Sequence, residues 1–145
     1  MEHIIFKLID ENFAIRLDQI KEILVYDQII ITPLFDEEPW VKGVINLRGE
    51  VIPIFDLRVK FNQENPTFDD NTVAIVVKTS ENKLIGIIVD KIEQIIPIKN
   101  SQVSQTYDLD IGIDKKYIKN LVKLDDTQMT VLLDIDKVLK IEQKA

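Results

Sequence analysis

Across 145 residues the chain sets 25 acidic against 18 basic side chains, a formal charge of −7, and its bases are scattered along the sequence, which argues against binding an anionic polymer. It has no cysteine, so a disulfide framework and thiol chemistry are excluded. With 46% hydrophobic and 30% charged residues it reads as one ordinary globular domain, residues 1–145, long enough to remove about two thirds of its unfolded surface from water.

The start, Met1-Glu2-His3-Ile4-Ile5-Phe6-Lys7, lacks a cationic leader, and no later stretch reaches the roughly 20 apolar residues of a spanning helix. A soluble, unexported protein is expected. Residues 4–9 and 13–17 are β-type runs separated by Asp10-Glu11-Asn12, a set suited to a hairpin turn. From Asp18 to Tyr26 the pattern fits helix or strand; one helical turn near Asp18 followed by a strand is the favoured reading. Pro33 and Pro39 bracket Asp36-Glu37-Glu38, so residues 32–40 form a surface connection with Trp40 anchoring its far end.

Next comes Gly43-Val44-Ile45-Asn46-Leu47-Arg48-Gly49-Glu50-Val51-Ile52-Pro53-Ile54-Phe55-Asp56-Leu57-Arg58, two apolar strands joined at Arg48-Gly49-Glu50. Gly49 supplies the positive φ of a tight reversal. Strand alternation puts Ile45 and Leu47 on a core face and Asn46 and Arg48 on the other. Gly43, Gly49 and Gly86 are each expected where a side chain would obstruct the backbone.

Residues 62–71 form a polar loop around Pro66, then the runs 73–77 and 84–89 are short, β-branched strands joined through Glu81-Asn82-Lys83. Residues 92–98 make another strand closed by Pro97, 100–105 a short helical turn, and 107–116 a polar connection. A last hairpin pairs 118–124 with 129–134, and a short helix follows, capped by Asp134 or Asp136, before a tail that frays. Nine or ten short strands with little helical pattern predict an all-β protein, and runs apolar on both faces favour closed barrels packed on each other.

Most catalytic chemistry lacks material here. His3 is the single histidine, which leaves little for a nucleophile–base pair or a histidine metal site. Asp108-Leu109-Asp110-Ile111-Gly112-Ile113-Asp114 resembles a calcium loop, but Gly112 comes one position early and position twelve is Lys119, so a solvated acidic loop is the better reading. No glycine-rich phosphate cradle occurs, and the loop acids Asp36, Glu37, Glu38, Asp69 and Asp70 read as solvated surface.

The string Lys42-Gly43-Val44-Ile45-Asn46-Leu47-Arg48-Gly49, with Val51-Ile52-Pro53-Ile54-Phe55-Asp56-Leu57-Arg58 and Lys60-Phe61, resembles the signature of the CheW family, the coupling proteins of bacterial chemotaxis. Tyr26-Asp27-Gln28, Asp70-Asn71-Thr72-Val73, Gly86-Ile87-Ile88-Val89-Asp90 and Val131-Leu132-Leu133-Asp134-Ile135-Asp136-Lys137 are similar to that family too. The resemblance implies two interwoven five-stranded SH3-like β-barrels with short helical turns, a short C-terminal helix and a groove between the barrels. It also implies no enzymatic activity and no cofactor. The implied partners are the regulatory domain of the histidine kinase CheA and the helical tip of chemoreceptors. The implied place is the cytoplasm, at membrane-bound receptor arrays.

Carried onto matching positions, the receptor-binding set is Ile20, Glu22, Asn46, Arg48, Val73, Gly86, Ile92 and Ile95. Apolar walls from Ile20, Val73, Ile92 and Ile95 would take a helix, with Gly86 allowing close approach. Arg48 and Glu22 would fix its orientation. Each has a plainer reading: core packing for Ile92 and Ile95, a pair with Glu50 or Glu22 for Arg48, and bridging of backbone groups for Asn46. Asp56 and Arg58 are expected to pair at the hairpin's end. The kinase-facing residues stay unassigned. The competing function is an enzyme or small-ligand binder with a pocket between the barrels.

Overall fold

The computed structural model describes residues 1–35, 37–104 and 113–140. Among these, eleven strands form two sheets. The strands are β1 (Glu2–Leu8), β2 (Glu11–Arg16), β3 (Ile20–Val25), β4 (Val41–Leu47), β5 (Glu50–Asp56), β6 (Val73–Lys78), β7 (Leu84–Val89), β8 (Lys91–Pro97), β9 (Val103–Ser104), β10 (Ile118–Lys123) and β11 (Met129–Leu133). One sheet runs β8-β1-β2-β11-β10-β9 and the other β3-β6-β7-β5-β4. The chain starts in the first sheet, builds the whole second sheet, and returns to complete the first, so the two are interwoven. The expected pair of SH3-like barrels is present, and the two-residue β9 is added at one edge.

Strand alternation explains why several runs are apolar on both faces. Ile75 and Val77 of β6 and Ile87 and Val89 of β7 join Ile4, Phe6 and Leu8 of β1 in a core shared between the sheets. Their neighbours Val76 and Ile88 point the other way, into a second cluster with Ile45, Ile52 and Ile54. Ile5 and Ala14 do the same in the first sheet, with Val122 and Leu132. Each fully buried isoleucine contributes about 1.5–3 kcal/mol, so the central strands are held from both sides.

Two turns differ from the sequence expectation. The first reversal is made by Ile9 and Asp10, with φ of 52° and 64°, while Glu11 and Asn12 pair with Leu8 and Lys7. A two-residue turn in the left-handed region matches strand twist, so the ladder extends closer to the tip. The second hairpin likewise turns on Arg48 and Gly49 alone, φ 51° and 87°, and Glu50 already belongs to β5. Gly49 answers that φ requirement, since a Cβ there would meet nothing within 4 Å. Gly43 does meet an obstruction: a Cβ would stand 2.1 Å from the Thr32 carbonyl oxygen.

The helical turn near Asp18 occupies Leu17–Gln19, and the turn expected over 100–105 occupies Asn100–Gln102. The α-helices are single turns, α1 (Leu57–Lys60) and α2 (Ile135–Val138), capped by Asp56 and Asp134. The calcium-like string at 108–112, most of the 107–116 connection and the fraying tail lie outside the described residues.

Asp56 and Arg58 are both fully buried. Asp56 accepts from Arg58 Nε at 3.0 Å and Nη2 at 3.1 Å, and Arg58 Nη1 donates to Asp90 at 2.9 Å. The other Asp90 oxygen accepts from the Ile9 backbone at 2.9 Å, so this network ties the two sheets. Burial works against the guanidinium charge, but Asp56 and Asp90 outweigh it and raise the Arg58 pKa. Phe68 lies 4.6 Å over Arg58 and stacks on Tyr26 at 4.4 Å, an apolar lid inside the loop that reads as polar in sequence.

Candidate functional site at the open seam of one barrel

β3 and β4 are the two edges of the five-stranded sheet, and no hydrogen-bonded ladder joins them. A cavity of about 660 Å³ fills the seam, lined by residues 22–25 of β3, 45–47 of β4, and Gln28, Ile29, Ile30 and Thr32. Thr32 and Val44 exchange backbone hydrogen bonds of 2.8 and 2.9 Å, which pins the connecting segment onto β4. Gly43 permits that approach. Ile29 and Ile31 pack into the barrel, while Ile30 is 87% exposed. This period-2 run lies before Pro33 and is the sequence signal for the seam's third wall.

Arg48 reaches across to Glu22. Its Nη1 and Nη2 donate to the two carboxylate oxygens at 2.6 and 2.9 Å. The Arg48 hydrogen bond, aided by its charge, holds the Glu22 carboxyl below the usual glutamate range, and the Arg48 pKa is raised in return. Glu50, the other candidate partner, is not the one used. Arg48 takes a left-handed backbone conformation that non-glycine residues seldom adopt. Asn46 is occupied nearby: its Oδ1 accepts from the Gly49 backbone at 3.0 Å, so it braces its own turn.

The remaining expected residues fall in three other places. Ile20, Val73 and Ile92 are half-buried at the margin of the shared core. Gly86 is buried inside the barrel, where a Cβ would lie 2.5 Å from Ile54 Cδ1. Its missing side chain therefore makes room for Ile54. Ile95 is 51% exposed on β8, so a core role does not apply to it. Among the described residues no cluster of three or more histidine, cysteine or acidic side chains is placed to hold a metal, and no helix is long and apolar enough to cross a membrane.

A family model described as the CheW-like domain matches residues 2–143. The chain belongs to the CheW-like family. It is 35% identical over 144 residues to the chemotaxis protein CheW of Klebsiella aerogenes, covering 99% of this chain and 84% of that one. To the chemotaxis protein CheW of Thermotoga maritima it is 31% identical over 138 residues, covering 93% and 85%. Its fold is similar to the crystal structure of the scaffolding protein TtCheW from Thermoanaerobacter tengcongensis, with a TM-score of 0.88 at 22% identity over 99% of this chain and 94% of that one. For the CheW-like fold the two interwoven barrels are thus supported by an independent structure.

Proposed function

We propose that this chain is a non-enzymatic chemotaxis scaffold that couples chemoreceptors to the histidine kinase CheA. The observation that carries the reading is the CheW-like match across residues 2–143. In this reading the protein works on the cytoplasmic side of the membrane, reached only through receptors, and binds no nucleic acid. The helical receptor tip meets the apolar margin formed by Ile20, Val73 and Ile92, with Ile95 beyond it, because a helix laid in a groove needs apolar walls for its stripe.

Arg48 has a specific part in that proposal. Its side chain is 75% exposed although both terminal nitrogens hold Glu22. The pair therefore presents a fixed, half-satisfied guanidinium at the surface, suited to orienting a partner more than to adding affinity. Gly86 acts from the interior by keeping β7 close to Ile54, and Asn46 by fixing the Arg48 turn. The kinase docks through its own CheW-like regulatory domain, on a face of this chain other than the receptor margin.

The test is reconstitution. Purified kinase and receptor-bearing membranes are mixed with and without this chain, and kinase autophosphorylation is followed. The reading expects receptor control of the kinase only when the chain is present. Kinase output that is unaltered by the chain overturns it.

A further inference from the structure

The bases that look scattered in sequence are partly gathered by the fold. Lys60 at the end of α1, Lys116 in the helical turn Lys115–Tyr117, Lys137 in α2 and Lys140 just after it line a cavity of about 500 Å³ with Trp40, Tyr117 and Glu38. Lys60 Nζ stands 4.1 Å from the centre of the Trp40 ring and 5.5 Å from that of Tyr117, and Lys116 Nζ stands 5.1 Å from Tyr117. The ring faces hold these ammonium groups by their quadrupoles. Lys116 also lies 3.7 Å from Asp114. Lys137 and Lys140 are exposed and make no ion pair among the described residues. Four lysines and Glu38 thus line one cavity in a chain of net charge −7.

We propose that this cavity binds a small molecule carrying two or more phosphate groups. Lys137 and Lys140 bring positive charge to the cavity with no ion pair among the described residues, and a compact polyanion answers that charge while the concave wall focuses the field. Ammonium groups serve as point charges for phosphate oxygens. The volume is in the range of small-ligand sites, roughly 300–1,000 Å³. Trp40 and Tyr117 offer an apolar floor for the part of the ligand that is not phosphate.

The position gives such binding a consequence. Trp40 immediately precedes β4 and Arg48 immediately follows it, so the cavity lies at the other end of a seven-residue strand, roughly 20 Å or more from the Arg48–Glu22 pair. Trp40 and Lys60 flank the five-stranded sheet, whereas Tyr117, Lys137 and Lys140 flank the six-stranded one. A bound polyanion bridges the two barrels and stabilises their junction. Such binding does not depend on the chain's acting as a scaffold.

Trp40 is the single tryptophan of the chain, so intrinsic fluorescence reports directly on the cavity. The full chain is titrated with inorganic pyrophosphate at constant ionic strength, with emission and thermal midpoint both recorded. The proposal expects a saturable emission change and a midpoint that rises with ligand concentration. The double variant K137E/K140E is expected to lose at least tenfold in affinity. Its fold is retained, because position 137 is the third residue after the Asp134 cap, where glutamate is favoured. The proposal is overturned by an absent or unsaturable response, by an equal response to sulfate at matched ionic strength, or by undiminished binding in a folded K137E/K140E variant. Binding of a poly-glutamate peptide with none of pyrophosphate also overturns it, assigning the surface to an acidic chain.

Discussion

Arg48 and Glu22, 26 residues apart in sequence, are joined by two hydrogen bonds that cross the seam between β3 and β4. The contact links the tip of the signature hairpin to the opposite edge of the sheet. It places a charged pair across a seam that no backbone ladder closes.

The pair makes Glu22 titrate low. Because Arg48 bonds to the charged form, the folded pKa lies below the unfolded one. The stabilisation is therefore fully present above the ordinary glutamate range and is lost as pH falls through the lower folded value. Carboxyl-carbon NMR is expected to show Glu22 titrating below the ordinary glutamate value, and Arg48→Ala is expected to move it back up. An unchanged Glu22 titration in that variant contradicts the pairing.

Arg58 is a fully buried charge held by two carboxylates. Arg58→Met leaves Asp56 buried without its charged partner and removes one of the two bonds on Asp90, the one from Ile9 remaining. Breaking a buried pair by deleting one member costs about 3–5 kcal/mol, and a loss of that size is expected in urea unfolding. A loss below about 1 kcal/mol would mean that the network is no stronger than a surface pair.

Gly86→Ala separates an interior role from a receptor-contact role. The added Cβ lies 2.5 Å from Ile54 Cδ1, so the fully buried Ile54 side chain must shift to admit it. Overpacking of this kind costs about 1–3 kcal/mol, to be read by chemical denaturation. Unchanged stability with weakened receptor binding would return Gly86 to the partner surface.

His3 provides a second pH dependence with a single, self-assigning signal. It is 5% exposed, and its Nδ1 donates to the Met1 carbonyl at 2.8 Å. Burial lowers its pKa from 6.5, outweighing the upward pull of the Met1 carbonyl. The unfolded chain takes up the proton first, so stability falls as pH drops below the unfolded value. Ring-proton NMR is expected to place the midpoint below 6.5; a midpoint above it contradicts the burial argument.

The strands were legible because their periodicity is local. Ile75, Val76 and Val77 alternate between two cores, and that two-sided burial is visible as an unbroken apolar run. The Asp56–Arg58 pair was legible too, being two residues apart within one motif. Phe68 was not, since nothing in a polar loop tells that one ring will fold back over Arg58. The choice of Glu22 over Glu50 depends on β3 and β4 meeting at a seam, a property of sheet order and not of either strand. Gly86 reads in sequence as an obstructed position, and its neighbour Ile54 shows that the obstruction is internal. The lysine cavity is the extreme case, built from four separate elements whose charges are diluted in sequence.

The most direct test of the scaffold account is co-sedimentation of the kinase with receptor-bearing membranes, measured with the wild-type chain, with Arg48→Glu, and with no chain. Arg48→Glu sets an acid beside Glu22 at an exposed turn and is expected to leave the thermal midpoint and kinase binding in solution nearly unchanged. The account predicts kinase in the pellet with the wild-type chain, less of it with Arg48→Glu, and kinase in the supernatant with no chain. Equal sedimentation in all three contradicts it.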